Sequence, residues 1–384
     1  MEKLSARIVF HKLHLWLGLV SGIVVFIVAI TGAIYAFHEE IDGLFRPSLS
    51  VAATGKPLLS PDDLKQKVSQ YIFKTPADSN NVIQGVTYGT YEQAAEVACS
   101  LGKNRCTLYV NPYSGAVIHQ EGFRDGFFHT VLAGHRSLWL PRPIGKPIVG
   151  WSIVIFVLIT LSGIVIWFPV KQTKKAFKNG LKIKWNAPFS RVNYDLHKVL
   201  GFYTAIFALL IALTGLTWSF NWFAQGYYSL ITGGKEFKKW KLAQSDSTQT
   251  ARLNASSTLL WEQMNKEYPI GQKGTFRFDY PEKPTDAYTV CYNPSSATYY
   301  QREFRFFDRN TLQEVQGGGT YGIKPSEASW GDKLYRMTYD IHVGSIGGLP
   351  GRILVFLVSL VVASLPITGY IIWWRKRRKK HSIN

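Results

Sequence analysis

His14 and His197 each stand at the charged mouth of a long apolar run, and each is followed four residues later by a glycine, Gly18 or Gly201. In a helix that spacing puts the glycine one turn on and on the same face, where it removes the side chain that would stand beside the imidazole. A lone histidine at such a place is equally well explained as a polar group reaching for water. A histidine beside a bare patch suits a flat macrocycle, so the chemistry in view is axial ligation of haem iron, with Gly18 and Gly201 as packing positions. His135 and His342 precede the two remaining apolar runs, and complete a set of four.

The elements that must position them are four apolar runs in a chain of 384 residues, at 16–37, 148–168, 199–220 and 353–374. Each is near the roughly 20 residues that cross a bilayer as a helix, so the chain reads as a four-span membrane protein. The first run is too long for the apolar part of a secretory leader and lacks a small-residue cleavage site, so it is expected to stay.

The net charge of +19 is unevenly spread. The arm 1–15, the loop 169–198 and the tail 375–384 carry 17 Lys and Arg against 2 Asp and Glu, whereas segments 38–147 and 221–352 are nearly balanced. The positive-inside rule then places both termini and the loop in the cytoplasm and the two long segments outside. That distribution accounts for the basic character through membrane lipid, without nucleic acid.

The outer segments read as small α+β modules. In the first, LSPDDLKQKVSQYI is a short amphipathic helix with Ser60 as N-cap and Pro61 in its first turn. The strands VIQGVTYGTY, AAEVACSL and CTLYVNPYSGAVIHQ follow, the last interrupted by an Asn-Pro-Tyr-Ser-Gly turn. The second segment offers a helix over 259–268 and strands TFRFDY, AYTVCYNP and EFRFFDRNTLQEV. Cys99 and Cys106 are close enough to form a disulfide in an oxidising compartment or to remain buried thiols, and Cys291 has no evident partner.

A displacement of 183 residues lays Leu196 on Leu13, His197 on His14, Gly201 on Gly18, Thr214 on Thr31 and Gly215 on Gly32. Near the ends of the second and fourth runs, TGYIIWW echoes SGIVIWF, which brings His342 onto His135 within one residue. The chain thus reads as two parallel repeats of helix, outer module, helix, related by a pseudo-twofold axis along the membrane normal. Equivalent residues then meet at equal depth: His14 with His197 near the inner surface, His135 with His342 near the outer. Each pair would fill both axial positions of a haem, and with no Cys-x-x-Cys-His attachment signature the expectation is two non-covalent b-type haems.

The remaining histidines leave alternatives open. His11 shares the face of His14, but its counterpart is Tyr194. His38, roughly 36 Å along the helix from His14, belongs near the outer pair and rivals His135. His129 is a weaker rival, and His119 and His381 read as surface residues. No side chain is assigned a catalytic role beyond ligation, and no Gly-x-Gly-x-x-Gly follows a strand to bind nicotinamide or flavin, so electrons must come from an external donor.

HKLHLWLGL followed by TG, DLHKVLGFY followed by LTG, GHRSLWL, and HVGSIGGLPGR with TGYIIWW resemble the PepSY-associated transmembrane family of bacterial inner-membrane proteins, and the outer modules resemble PepSY domains. Length and layout are similar to those of FoxB-type siderophore-iron reductases. The resemblance implies a di-haem reductase that takes electrons from a quinol or cytoplasmic reductant and reduces ferric siderophore iron in the periplasm. Residues around Trp139, Trp330, Tyr335, Arg336 and Tyr339 could receive an anionic chelate, although an interfacial aromatic belt explains them better. Two readings of other classes compete: a sensor or interaction protein built on the outer modules, and an iron-siderophore permease. The absence of carboxylates and histidines from the middle of the four runs disfavours the permease.

Overall fold

The computed structural model describes residues 6–45, 48–74, 76–122, 126–170, 173–246 and 257–381. Four of its helices are long and apolar enough to cross a membrane: α1 (Ala6–Tyr35), α5 (Arg142–Trp167), α7 (Phe189–Ser219) and α12 (Gly348–His381). Shorter helices lie between them: α2 (His38–Phe45), α3 (Pro61–Ile72), α4 (Phe127–Ser137), α6 (Lys174–Gly180), α8 (Asn221–Thr232), α9 (Ser257–Glu267), α10 (Trp330–Arg336) and α11 (Thr338–Val343).

The long helices overrun the apolar runs that announce them. α1 starts ten residues before the run 16–37, α7 ten before 199–220, and α12 extends beyond both ends of 353–374. Hydropathy marks what suits lipid, whereas backbone hydrogen bonding continues into charged turns rich in Lys and Arg, which are good helix formers. The described parts of the arm 1–15 and the tail 375–384 are therefore helical, and their outermost residues lie outside the described set. At its other end α1 stops at Tyr35, short of Phe37, and His38 opens α2.

The chain divides into two units. The first contains α1, α4 to α7, α11 and α12, with α2 and α8 crossing its boundaries. Here α1 packs on α5 and α12, α7 packs on the same two helices, α4 lies against α1 and α5, and α11 lies against α7. Val25, Phe156, Ala208, Ala212, Val358 and Val362 form the buried centre of this bundle.

The second unit is a helix-covered antiparallel sheet. Its strands are β1 (Val82–Tyr88), β2 (Ala95–Leu101), β3 (Asn104–Val110), β4 (Val117–Gly122), β5 (Thr275–Asp279), β6 (Tyr288–Asn293), β7 (Glu303–Phe307) and β8 (Glu314–Val315). The sequence suggests two separate modules, but the strands form one eight-stranded sheet in the order β4-β3-β2-β1-β5-β6-β7-β8. The join is the β1–β5 ladder, with Val86 opposite Phe278, and it pairs two strands that would otherwise present open edges. Gly85 makes the join possible, because a side chain there would run into Asp279 and the Phe278 carbonyl.

α3 and α9 contribute Leu64, Val68, Ile72, Leu260, Trp261 and Met264 to the core beneath this sheet. α3 begins as the sequence suggests, with a reciprocal Ser60–Asp63 capping box and Pro61 in the first turn. Cys99 and Cys106 face each other across β2 and β3 and are disulfide-bonded, while Cys291 is a free, buried thiol whose pKa burial pushes up to about 11.

Candidate bis-histidine centres

His14 on α1 faces His197 on α7, with ring centroids 6.2 Å apart and ring planes at 89°. His135 on α4 faces His342 on α11 at 6.1 Å and 68°. Two imidazole nitrogens at about 2 Å on either side of one iron place ring centroids about 6 Å apart, so both separations match what axial ligation of a single metal demands.

Each of the four rings has its Nδ1 against a hydroxyl of a neighbouring helix. The Nδ1–H of His14 donates to the Ile159 carbonyl at 3.0 Å, with the Ser162 hydroxyl at 3.1 Å. The Nδ1–H of His135 donates to the Val28 carbonyl at 2.9 Å, with the Thr31 hydroxyl at 3.5 Å. His342 uses the Ile211 carbonyl at 2.9 Å and the Thr214 hydroxyl at 3.1 Å, and His197 the Thr368 hydroxyl at 2.8 Å and the Leu365 backbone. A carbonyl can only accept, and the Thr368 hydroxyl gives its own proton to the Ser364 and Leu365 carbonyls, so the proton sits on Nδ1 and the Nε2 lone pair is left for a ligand.

A glycine follows each of these hydroxyl residues. A β-carbon on Gly32, Gly163 or Gly215 would lie 3.1 Å from the Cε1 of His135, His14 or His342, and one on Gly369 would lie 3.2 Å from that of His197. A side chain there would make the ring give by a few tenths of an ångström. The unit is thus a Ser/Thr-Gly pair on one helix that seats a histidine from another. α5 seats His14, α12 seats His197, α1 seats His135 and α7 seats His342. Thr31, Gly32, Thr214 and Gly215 stand out in the sequence only as repeated residues; their role as seats, and that of Ser162, Gly163, Thr368 and Gly369, was not apparent. The signal was the recurrence of the pair near the end of all four apolar runs.

The seats are braced by neighbouring bonds. Asn193, buried one turn before His197, donates to the Thr368 carbonyl at 3.1 Å and ties α7 to α12. The Arg7 guanidinium donates to the Phe168 and Ile166 carbonyls and ties α1 to the end of α5. At the other pair, Trp218 of α7 meets the His342 ring edge-on at 5.1 Å. Burial among apolar neighbours lowers the pKa of His135, and that of His342 to about 4, which keeps both rings neutral, the form that ligates.

Gly18 has open space where a side chain would stand, and Gly201 meets only Leu365 at van der Waals distance. The remaining sequence candidates are placed elsewhere. His38 stacks on Tyr35 at 4.0 Å, bonds its Nδ1 to the Tyr35 carbonyl and meets Phe128 edge-on. His11 is exposed and His129 is half-buried on α4, while the two facing pairs are made by His14 with His197 and by His135 with His342. Of the residues suggested for a chelate, Tyr335 is buried, and the buried Arg336 donates to the Arg302, Tyr321 and Ile323 carbonyls, while Trp139 and Trp330 are exposed.

The family model for the PepSY-associated TM region matches residues 11–376, from the first histidine of α1 to the charged end of α12. No curated protein matches the sequence. With nearly its whole length matched, including all four seated histidines and the Ser/Thr-Gly pairs that seat them, the chain belongs to the PepSY-associated transmembrane family.

Proposed function

We propose that this protein is a di-haem b oxidoreductase of the bacterial inner membrane. In this reading it carries electrons outward to ferric iron held in an anionic siderophore chelate. The observation that carries the reading is the two facing histidine pairs, each ring with Nδ1 bonded to its seat and Nε2 left to ligate. Each pair would hold one b haem through two histidines, and the haem would supply one-electron transfer there.

The chain's own residues do the rest. Each pair presents two neutral imidazoles from different helices, so one centre forms only when the bundle is assembled. His14 and the seat of His135 are separated by about 24 Å along α1, which supports the reading of one pair toward each side of the bilayer. The interval between them is filled by Val25, Phe156, Ala208, Ala212, Val358 and Val362, a packed apolar centre that excludes water and ions and speaks against a permease. The basic arm, loop and tail orient both termini to the cytoplasm, where a quinol or soluble reductant gives up electrons, and the sheet unit to the periplasm.

The two-repeat reading is supported by the seats themselves: a shift of 183 carries His14 to His197 and Thr31-Gly32 to Thr214-Gly215, and one of 206 carries Ser162-Gly163 to Thr368-Gly369. The acceptor rests on the resemblance to siderophore-iron reductases alone. Purified protein made with ample haem should show the sharp bands of bis-histidine b-haem on dithionite reduction, with about two haems per chain, and these bands should fade when ferrisiderophore is added. A colourless protein would end the di-haem reading; reduced bands indifferent to every ferric chelate would end the siderophore part only.

A further inference from the structure

We infer that Ser162, Thr368, Thr31 and Thr214 are positioning residues that fix the reduction potential of the metal centre through the histidine each one seats; this rests on the di-haem reading above. Each hydroxyl has its own proton committed to its helix. Ser162 donates to the Ile159 carbonyl at 2.8 Å. Thr31 donates to the Ile27 and Val28 carbonyls, Thr214 to those of Leu210 and Ile211, and Thr368 to those of Ser364 and Leu365. With the proton so engaged, the oxygen turns a lone pair outward and accepts from the imidazole Nδ1–H.

At His14, His135 and His342 the ring proton is therefore shared between a hydroxyl oxygen and the carbonyl three residues before it, and at His197 it goes to the Thr368 hydroxyl at 2.8 Å. Two acceptors on one N–H pull electron density toward Nε2 and make the imidazole a stronger donor, which favours ferric over ferrous iron. The glycine after the hydroxyl lets the ring approach closely enough to feel both. The four seats are not equal. The hydroxyl bond is shortest at His197, 2.8 Å, intermediate at His14 and His342, both 3.1 Å, and longest at His135, 3.5 Å. The inner centre, His14 with His197, holds the shorter pair of hydroxyl bonds, so the hydroxyls contribute more to ligand strength there than at the outer centre.

The test is spectroelectrochemical titration of the haem-loaded full-length protein, with His197→Ala and His342→Ala used to assign each wave and each low-spin electron paramagnetic resonance signal to its centre. Thr368→Val, which keeps the shape and removes the hydroxyl, should raise the inner midpoint potential and shift the inner resonance only, and Thr214→Val should do so for the outer. Thr368→Ser and Thr214→Ser should restore both. Thr31→Val should move the outer wave least. If Thr368→Val and Thr214→Val keep both haems with unchanged potentials and resonances, the hydroxyls do not position the ligands and the inference is wrong. Loss of a haem in the Val variant with recovery in the Ser variant supports it, and loss in both overturns it in favour of side-chain packing. A wild-type protein that takes up no haem overturns the di-haem reading itself.

Discussion

The two histidine pairs have nearly the same separation but are built differently. The inner histidines belong to membrane-spanning helices and are seated by the two other membrane-spanning helices, so four long elements meet there. The outer histidines ride on α4 and α11, of 11 and 6 residues, and are seated by α1 and α7. Short helices draw little stability from their own hydrogen bonds and depend on what they pack against. The inner centre should accordingly be a rigid product of the bundle, and the outer centre a more yielding attachment to it.

Removal of a ligand tests the separation of the two centres and carries the largest effect. His197→Ala should lose about one haem equivalent and leave the outer spectrum intact, and His342→Ala should do the reverse; haem per chain by pyridine haemochromogen gives the count. Loss of both haems from either variant would show that the two centres are not independent.

Crowding the seats comes next and asks whether one site yields more than the other. A β-carbon on any of the four seat glycines forces its imidazole to give by a few tenths of an ångström, and overpacking of this kind costs about 1–3 kcal/mol. At Gly163 and Gly369 the ring is carried by a long helix braced by Arg7 or Asn193 and has little room to move. At Gly32 and Gly215 the short helix can shift with its ring. Gly163→Ala and Gly369→Ala should therefore lower inner haem occupancy more than Gly32→Ala and Gly215→Ala lower the outer. Equal losses would remove the distinction between rigid and yielding sites.

How far the sequence announces all this follows the same division. The inner pair was legible because His14 and Gly18 recur as His197 and Gly201 within membrane-length runs, where periodicity and hydropathy act on neighbouring residues. The outer pair could be reached only through a register one residue off, which is why the sequence leaves His38 and His129 as rivals to His135; His38 stacks on Tyr35, and His135 bonds the Val28 carbonyl of α1. The strands of the sheet were legible from alternation, yet the β1–β5 join was not, since it pairs segments almost 200 residues apart and nothing local specifies it. The seats were hidden for the same reason: Ser162 lies 148 residues from the histidine it holds, and Thr368 lies 171 away.

Within the outer centre the two short helices differ from each other. After α4 the chain turns through Leu138 and Trp139, both at positive φ, a conformation that costs a non-glycine residue roughly 1–2 kcal/mol, whereas the turn after α11 uses Gly344. The strained turn is held because Trp139 folds back over Gly134 and donates from Nε1 to the Thr130 carbonyl at 2.8 Å. Gly134→Ala would place a methyl group inside the indole, so it should displace Trp139, loosen α4 and reduce outer haem occupancy by a smaller margin than the ligand variants. The inner spectrum should not change, and a fall in inner occupancy would mean that α4 supports the whole bundle.

The smallest effect concerns the other half of that centre. Trp218 and Tyr35 occupy equivalent positions 183 residues apart, but Trp218 meets the ligand His342 edge-on, while Tyr35 stacks on His38, which is not paired with either outer ligand. An edge-to-face pair contributes about 0.5–1.5 kcal/mol, too little to decide whether haem binds but enough to set the angle of a ring that rests on a six-residue helix. Trp218→Leu should therefore retain both haems and shift the outer low-spin resonance, and Tyr35→Leu should leave it in place. A shift of equal size in both variants would mean that the outer centre responds to general loosening of the helix ends, and that the ring contact on His342 has no special part in orienting the ligand.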